Sequence, residues 1–393
     1  MTILARDMSK EVLDLATQYP VVTVLGPRQS GKTTLVRQLF KNKPYVSLEN
    51  PDDRYFAESD PRSFLENYPD GVILDEIQRL PVLLSYIQGI VDEKQTKGLF
   101  ILTGSHQHQL HLSVSQSLAG RTALLTLLPF CISELPVHLQ NLSLDAYLYQ
   151  GMYPRIYNDN LNPTKFYRSY LQTYVERDVR QMINIKDLST FHLFIKLCAS
   201  RVGQLVNANS LSHEVGVSTN TIIQWLSILE ASYIIFRLPP YFENFGKRLI
   251  KSAKLYFTDV GLACYCLDIH NPALISRDPL RGALAENFMI TELIKHRENA
   301  GLEHNAYFYR DSNQNEVDVI IKKAHQLIPI EIKSSKTFHP SFLKGLTYLK
   351  SIAPDRVTNG YLLYAGTQEQ ALHDVSVINY LHIKKLSEQI MAD

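Results

Sequence analysis

An α/β fold is expected: a parallel sheet between helices, then a helix-and-hairpin unit, then a second, smaller α/β unit. Three observations carry this. The apolar run VVTVL at residues 21–25 empties into GPRQSGKTT and then into the helical stretch TLVRQLF. Over the first 130 residues, short apolar runs alternate with helical patterns, as a parallel sheet with crossover helices requires. Near the C terminus, EVDVII and LIPIEIK alternate with a period of two on either side of a short turn.

The chain of 393 residues has room for two or three domains at roughly 150 residues each. Its 40 Lys and Arg against 39 Asp and Glu leave a net charge of +1, so any nucleic-acid site must be a local basic patch. With 17 Gly and 18 Pro among 393 residues, a collagen-like or low-complexity chain is excluded. Four cysteines are too few for a disulfide framework and favour a reducing compartment. Cys264 and Cys266 lack a second pair at zinc-ligand spacing and read as buried thiols. The start has no apolar signal core, and no stretch approaches the roughly 18 apolar residues of a membrane span. A cytoplasmic location with no membrane partner is expected.

In chain order, VVTVL is the first strand, buried on both faces. PYVSLEN, GVILDE, LFILTGS and RTALLTLLPF supply the others, completing a first domain over 1–140. Residues 141–186 turn helical and rich in tyrosine, a linker or lid. Residues 187–277 read as helices followed by a hairpin, and 278–393 as a helix, three strands and a mixed tail.

GPRQSGKTT matches G-x-x-x-x-G-K-[ST], with Gly26, Gly31, Lys32 and Thr33 at the fixed positions. The nucleotide cradle is expected to be Gly26, Pro27, Arg28, Gln29, Ser30, Gly31, Lys32, Thr33 and Thr34. Glycines let backbone N–H groups curl around phosphates, Lys32 supplies a point charge, and Thr33 offers a hydroxyl to magnesium. In GVILDEIQ, Asp75 emerges from an apolar strand at its carboxyl end and suits the Mg2+ shell, while Glu76 suits activation of water. Thr103 or Ser105, ending the strand FILTG, reads either as a sensor of the γ-phosphate or as an ordinary strand-to-loop turn. Arg121 precedes the last strand and reads either as an arginine completing a neighbouring subunit's site in a homo-oligomer or as a surface residue. His106, His108 and His111 lack a supporting carboxylate or cysteine pattern and read as solvated.

Together GPRQSGKTTLVRQLF, VILDEIQRLP, FILTGSHQHQL, SLAGRTALLTLLPFCISEL and KLYFTDVGLACYCL resemble the prokaryotic AAA+-type ATPases that carry a C-terminal domain of unknown function. The resemblance covers nearly the whole chain. It implies a P-loop core whose sensor strand lies between the P-loop strand and the acidic strand, with ATP and Mg2+ as ligands. No N-K-x-D-like guanine-reading segment is present, in keeping with ATP.

LVNANSLSHEVGVSTNTIIQWLSILEASYIIFRLPPY reads as helix, turn, helix and strand, the order of a winged helix. Gly216 sits in the turn, Ser218 caps a helix from Thr219, and Ile222, Leu226 and Leu229 form its buried stripe. Thr219, Asn220, Thr221 and Gln224 remain near the exposed half, where a recognition helix reads bases. That helix has no Lys or Arg, yet phosphate contacts dominate nucleic-acid affinity. Lys247, Arg248, Lys251 and Lys254 of the following hairpin form a basic patch suited to DNA phosphates. A structural or protein-binding role is the alternative.

In PIEIKSS, Glu331 and Lys333 share one strand face, and Asp318 of EVDVII points opposite to Val317 and Val319. A turn between the strands would bring Asp318, Glu331 and Lys333 together, the two acids to hold metal and the lysine to steady developing charge. This set resembles the PD-(D/E)XK nuclease superfamily, with Glu286 in the position of its helical acid. The proline that precedes the family's aspartate is replaced by Val317. The expected function is Mg-dependent ATP hydrolysis coupled to a DNA-directed winged-helix and nuclease-like module. The alternative is an ATP-switched interaction or scaffold protein with a silent nuclease-like domain.

Overall fold

The computed structural model describes residues 4–105, 117–175, 188–242, 252–357 and 359–392. Its first sheet comprises β1 (Val21–Leu25), β2 (Tyr45–Ser47), β3 (Val72–Asp75), β4 (Phe100–Gly104) and β5 (Thr122–Thr126). All are parallel, in the order β2-β3-β4-β1-β5. The strand FILTG therefore lies between the P-loop strand and the acidic strand. Every residue of β1, β3 and β4 is buried, because helices cover both faces. Val22 and Val24 pack with Met8, Val12, Leu35 and Val36 on one side. Val21 and Leu25 join a second core on the other. Strands without a polar face cannot face water, so the continuous apolar runs dictate this sandwich.

That second core does not stop at the first sheet. It continues through Tyr153, Phe166 and Tyr170 of the tyrosine-rich segment and through Trp225 and Leu229. It ends on the helix Arg281–Asn299 and the C-terminal sheet. Three buried hydrogen bonds to charged groups lie in the same seam: Ile132 N donates to Glu292 at 2.9 Å, and Lys295 Nζ donates to the Phe130 carbonyl at 2.8 Å and to Glu292 at 3.0 Å.

The middle of the chain holds helices Leu188–Ala199, Ala208–Val215 and Thr219–Ala231. Gly216 turns the chain at φ 78°, and Ser218 Oγ caps the third helix by accepting from Thr221 N at 3.1 Å. Strands β6 (Ile235–Leu238) and β7 (Lys254–Phe257) then pair antiparallel. The expected lid continues into residues 176–187, which lie outside the described residues, as do Lys247, Arg248 and Lys251 of the hairpin and His106, His108 and His111.

The last sheet contains β8 (Ala306–Arg310), β9 (Glu316–Lys323), β10 (Gln326–Lys333), β11 (Gly360–Tyr364), β12 (Gln370–Leu372) and β13 (Val375–Asn379). Their order is β12-β13-β11-β10-β9-β8, mixing parallel and antiparallel pairs. The mixed tail of the sequence thus supplies three further strands and two helices, Lys344–Ile352 and Ile383–Ala392. Among the described residues, no helix is long and apolar enough to cross a membrane.

Candidate functional site

Strand β1 releases the chain at Gly26 with φ 144°, where a Cβ would lie 2.2 Å from the Leu127 carbonyl oxygen. Only glycine fits. Gln29 (φ 62°) and Gly31 (φ 96°) adopt left-handed conformations and lead into the helix Lys32–Leu39. The loop thus ends on a helix N-terminus, where backbone N–H groups favour anions. Lys32 Nζ donates to the carbonyls of Gly26 (2.9 Å) and Pro27 (2.8 Å), so it lies across the mouth of its own loop.

Thr33, on the first turn of that helix, meets Asp75 at the end of β3: its Oγ1 donates to the carboxylate at 3.0 Å. Asp75 also accepts from Tyr45 Oη at 2.7 Å and from Thr103. Tyr45 is consequently a poor acid, its pKa raised by burial and then by Asp75. Thr103 also accepts from Glu76 N at 3.3 Å, tying β4 to both acidic residues. Glu76 stands in a left-handed conformation (φ 57°), aimed by Ser105 Oγ at 2.9 Å and by the Gln78 amide. Burial alone would raise its pKa, but the charges of Lys32 and Arg28 and the bonds from Gln78 and Ser105 outweigh it. Glu76 is held ionised at neutral pH, as a proton acceptor must be.

The residues fit a nucleotide and its magnesium. Gln29 Oε1 and Ser30 Oγ are buried in the loop without a hydrogen-bond partner. The Thr33 hydroxyl and the Asp75 carboxylate stand side by side as the hard oxygen ligands that magnesium takes.

Several supporting residues carry no signal in the sequence. Arg6, only 7% exposed, donates Nη1 to the Ser30 carbonyl at 2.6 Å and Nη2 to the Leu128 carbonyl at 2.6 Å. Its Nε donates to Glu134 at 3.0 Å, and its guanidinium lies 4.9 Å from the Phe130 ring centre. Tyr174 Oη accepts from Gln29 Nε2 at 2.8 Å, and its ring lies 5.6 Å from the Arg28 guanidinium. The tyrosine-rich segment thus rests on the P-loop. Arg6, Tyr45 and Tyr174 are joined to the loop by tertiary packing, so no local spacing could have revealed them.

Arg121 is not brought to this site. It precedes β5 at the amino edge of the sheet, a strand length of roughly 16 Å from the loop. There it pairs with Asp92 at 2.5 and 2.9 Å, both half-exposed.

A second cluster forms on the last sheet. The antiparallel register Val319↔Ile330 sets Asp318 beside Glu331. Lys333 Nζ lies 2.6 Å from Glu331 and 3.6 Å from Asp318, and Ile332 N donates to Asp318 at 2.8 Å. Glu286 approaches from the helix Arg281–Asn299. Burial and the charge of Asp318 push both Glu286 and Glu331 above the ordinary carboxylate range. One expectation is corrected: Lys254 does not belong to an exposed basic patch. It is 3% exposed and bound to Glu286 and Glu316, because β7 turns it toward the sheet rather than to solvent.

Residues 18–136 match a family model described as an AAA domain. Residues 141–273 and 281–385 match models described as domains of unknown function (DUF8612 and DUF4143). The chain is similar to uncharacterized proteins of Mycobacterium bovis and Mycobacterium tuberculosis, each 28% identical over 382 residues, 96% of this chain and 83% of the relative. An uncharacterized protein of Haemophilus influenzae is 21% identical over 394 residues, covering 92% of this chain and 94% of its own. Among solved structures, the Walker-type ATPase of Pyrococcus abyssi is similar at 16% identity and a TM-score of 0.47, covering 67% of this chain and 96% of that one. The chain carries an AAA-type P-loop ATPase domain followed by two regions matching domains of unknown function.

Proposed function

We propose that this protein is a magnesium-dependent ATPase whose turnover acts on a DNA-directed C-terminal module. The observation that carries the proposal is the Glu76 carboxylate held by Ser105 and Gln78, one residue beyond the Asp75 that pairs with Thr33 at the first turn of the P-loop helix. Lys32 exchanges the carbonyls of Gly26 and Pro27 for the terminal phosphates of ATP. Thr33 and Asp75 would hold magnesium, which neutralises charge on those phosphates when bound. Glu76 takes the proton of the attacking water, and Ser105 and Gln78 keep its carboxylate aimed. Thr103 links Asp75 to the backbone of Glu76 and reports whether the terminal phosphate is present. Arg121 completes the site of a neighbouring subunit. Its half-exposed pairing with Asp92 is easily exchanged, since solvent screens such surface ion pairs.

The DNA-directed half is supported by three features. Helices Ala208–Val215 and Thr219–Ala231 precede the β6–β7 pair, and an antiparallel bridge joins Leu205 to Lys254, the order of a winged helix. Asn220 and Gln224 are exposed on the third helix. Asp318, Glu331, Lys333 and Glu286 gather as a nuclease-like set.

Glu76→Gln tests the ATPase. Calorimetry should find ATP bound as in wild type, while phosphate release falls about a hundredfold or more. Wild-type turnover by this variant would remove Glu76 from catalysis. The second reading, an ATP-switched scaffold with a silent nuclease-like domain, is favoured by Lys254 seated among the carboxylates. In that reading DNA does not accelerate ATP turnover.

A further inference from the structure

Strand β7 delivers a cation into the carboxylate set of the C-terminal sheet. Lys254 Nζ lies 3.0 Å from Glu286 and 2.5 Å from Glu316, and 5.5 Å from the Phe308 ring centre. Burial works to lower its pKa, but Glu286, Asp318 and Glu316 outweigh it and keep the ammonium charged. Tyr256, two residues along the strand, also donates its hydroxyl to Glu286. The backbone of β7 is fixed by its ladder with β6 and by the bridge to Leu205. The lysine is therefore presented by the helix-and-hairpin unit, not by the sheet that holds Asp318 and Glu331.

The cluster keeps a bare acceptor. Glu331 is 9% exposed, and its Oε2 is buried without a hydrogen-bond partner, although Lys333 binds Oε1. Gly345 faces that oxygen, and a Cβ there would come within 3.2 Å of it. A buried carboxylate oxygen left without a donor or cation is costly, so this one is poised for a ligand. Glu316, bound by Lys254 Nζ, also lies 3.3 Å from Arg310 Nε at the rim.

We propose that Lys254 is a latch: its ammonium is the resident counter-ion of Glu286 and Glu316 beside Asp318, and a divalent cation entering among Glu286, Asp318 and Glu331 must displace it from Glu286. Lys333 already supplies one ammonium to this set; a second ammonium seated on Glu286 repels a divalent ion placed among the same buried carboxylates, so binding of one weakens binding of the other. Because β7 presents Lys254, the helix-and-hairpin unit thereby tunes how tightly the C-terminal site takes metal. This rests on reading the carboxylate set as a cation site.

The test titrates manganese, followed by electron paramagnetic resonance, into the full chain carrying Lys32→Ala, which disables the P-loop site. The same titration is run with Lys254→Met added, which keeps a similar stem and removes the charge. The latch expects Lys254→Met to bind manganese about tenfold tighter or more, and Asp318→Ala to abolish that binding. Equal Asp318-dependent affinity with and without Lys254→Met overturns the latch and leaves the cation site standing. Manganese binding that never depends on Asp318 overturns both. A second arm uses the unaltered protein and so does not depend on how Lys254→Met folds: acylation of Lys254 is followed by mass spectrometry as manganese is added. Protection without metal and faster labelling with it support the latch, and a labelling rate indifferent to manganese overturns it.

Discussion

Glu76 illustrates how one side chain's environment sets its chemistry. Lys32 and Arg28 offset its burial, so its folded-state pKa lies below the ordinary glutamate value. A depressed carboxyl pKa means that the ionised form persists as pH falls through the ordinary range and is lost only below it. ATP turnover should therefore hold steady down through that range. Arg28→Ala should move the acid limb of the pH–rate profile upward; an unmoved limb would show that Arg28 does not tune Glu76. Arg6 makes a different kind of contribution, since it satisfies Glu134 and braces the Ser30 carbonyl from beneath the loop. Arg6→Ala leaves Glu134 buried without its cation and should cost about 3 to 5 kcal/mol in denaturant unfolding. A loss well under that would mean that water or Asp7 N compensates. Asp75 and Glu76 were readable from the sequence because a strand end fixes where they emerge. Arg6 was not, because the partners it joins lie more than a hundred positions away in Glu134 and Leu128.

Local pattern was most informative for whole strands and helices. Apolar runs marked β1, β3 and β4, the candidate segments PYVSLEN and RTALLTLLPF contained β2 and β5, and Gly216 and Ser218 located the turn and the cap of the helix Thr219–Ala231. Ser218→Ala should lower stability by about 1 kcal/mol, measured by urea unfolding, because Thr221 N loses its acceptor. An unchanged midpoint would mean that the helix is held by Ile222, Trp225 and Leu229 alone. The C-terminal tail was opaque for a physical reason. Strand β11 pairs parallel with both β10 and β13, so nothing in the neighbouring sequence announces its partners. Lys254 was misjudged for the same reason: a lysine near other basic residues looks solvated until the fold shows where its strand faces.

The blocks of the chain meet in one continuous apolar core, and buried contacts lead from the P-loop toward the C-terminal cluster. Arg6 touches Ser30 and Phe130, Lys295 binds the Phe130 carbonyl, and the helix carrying Lys295 also carries Glu286. Contiguity is not coupling, but it gives nucleotide binding a physical route to the carboxylate set of the C-terminal sheet. Assembly adds a second level. If Arg121 acts between subunits, activity per molecule rises with protein concentration and Arg121→Ala flattens the rise; constant specific activity across the monomer–oligomer transition would contradict it. Whether the ATPase serves a DNA-directed module is decided by phosphate release at fixed protein and saturating ATP, with and without linear, nicked or branched DNA. Acceleration by at least one form, absent in Glu76→Gln, is the predicted result. Turnover identical with every form of DNA would contradict the proposal and leave the ATP-switched scaffold.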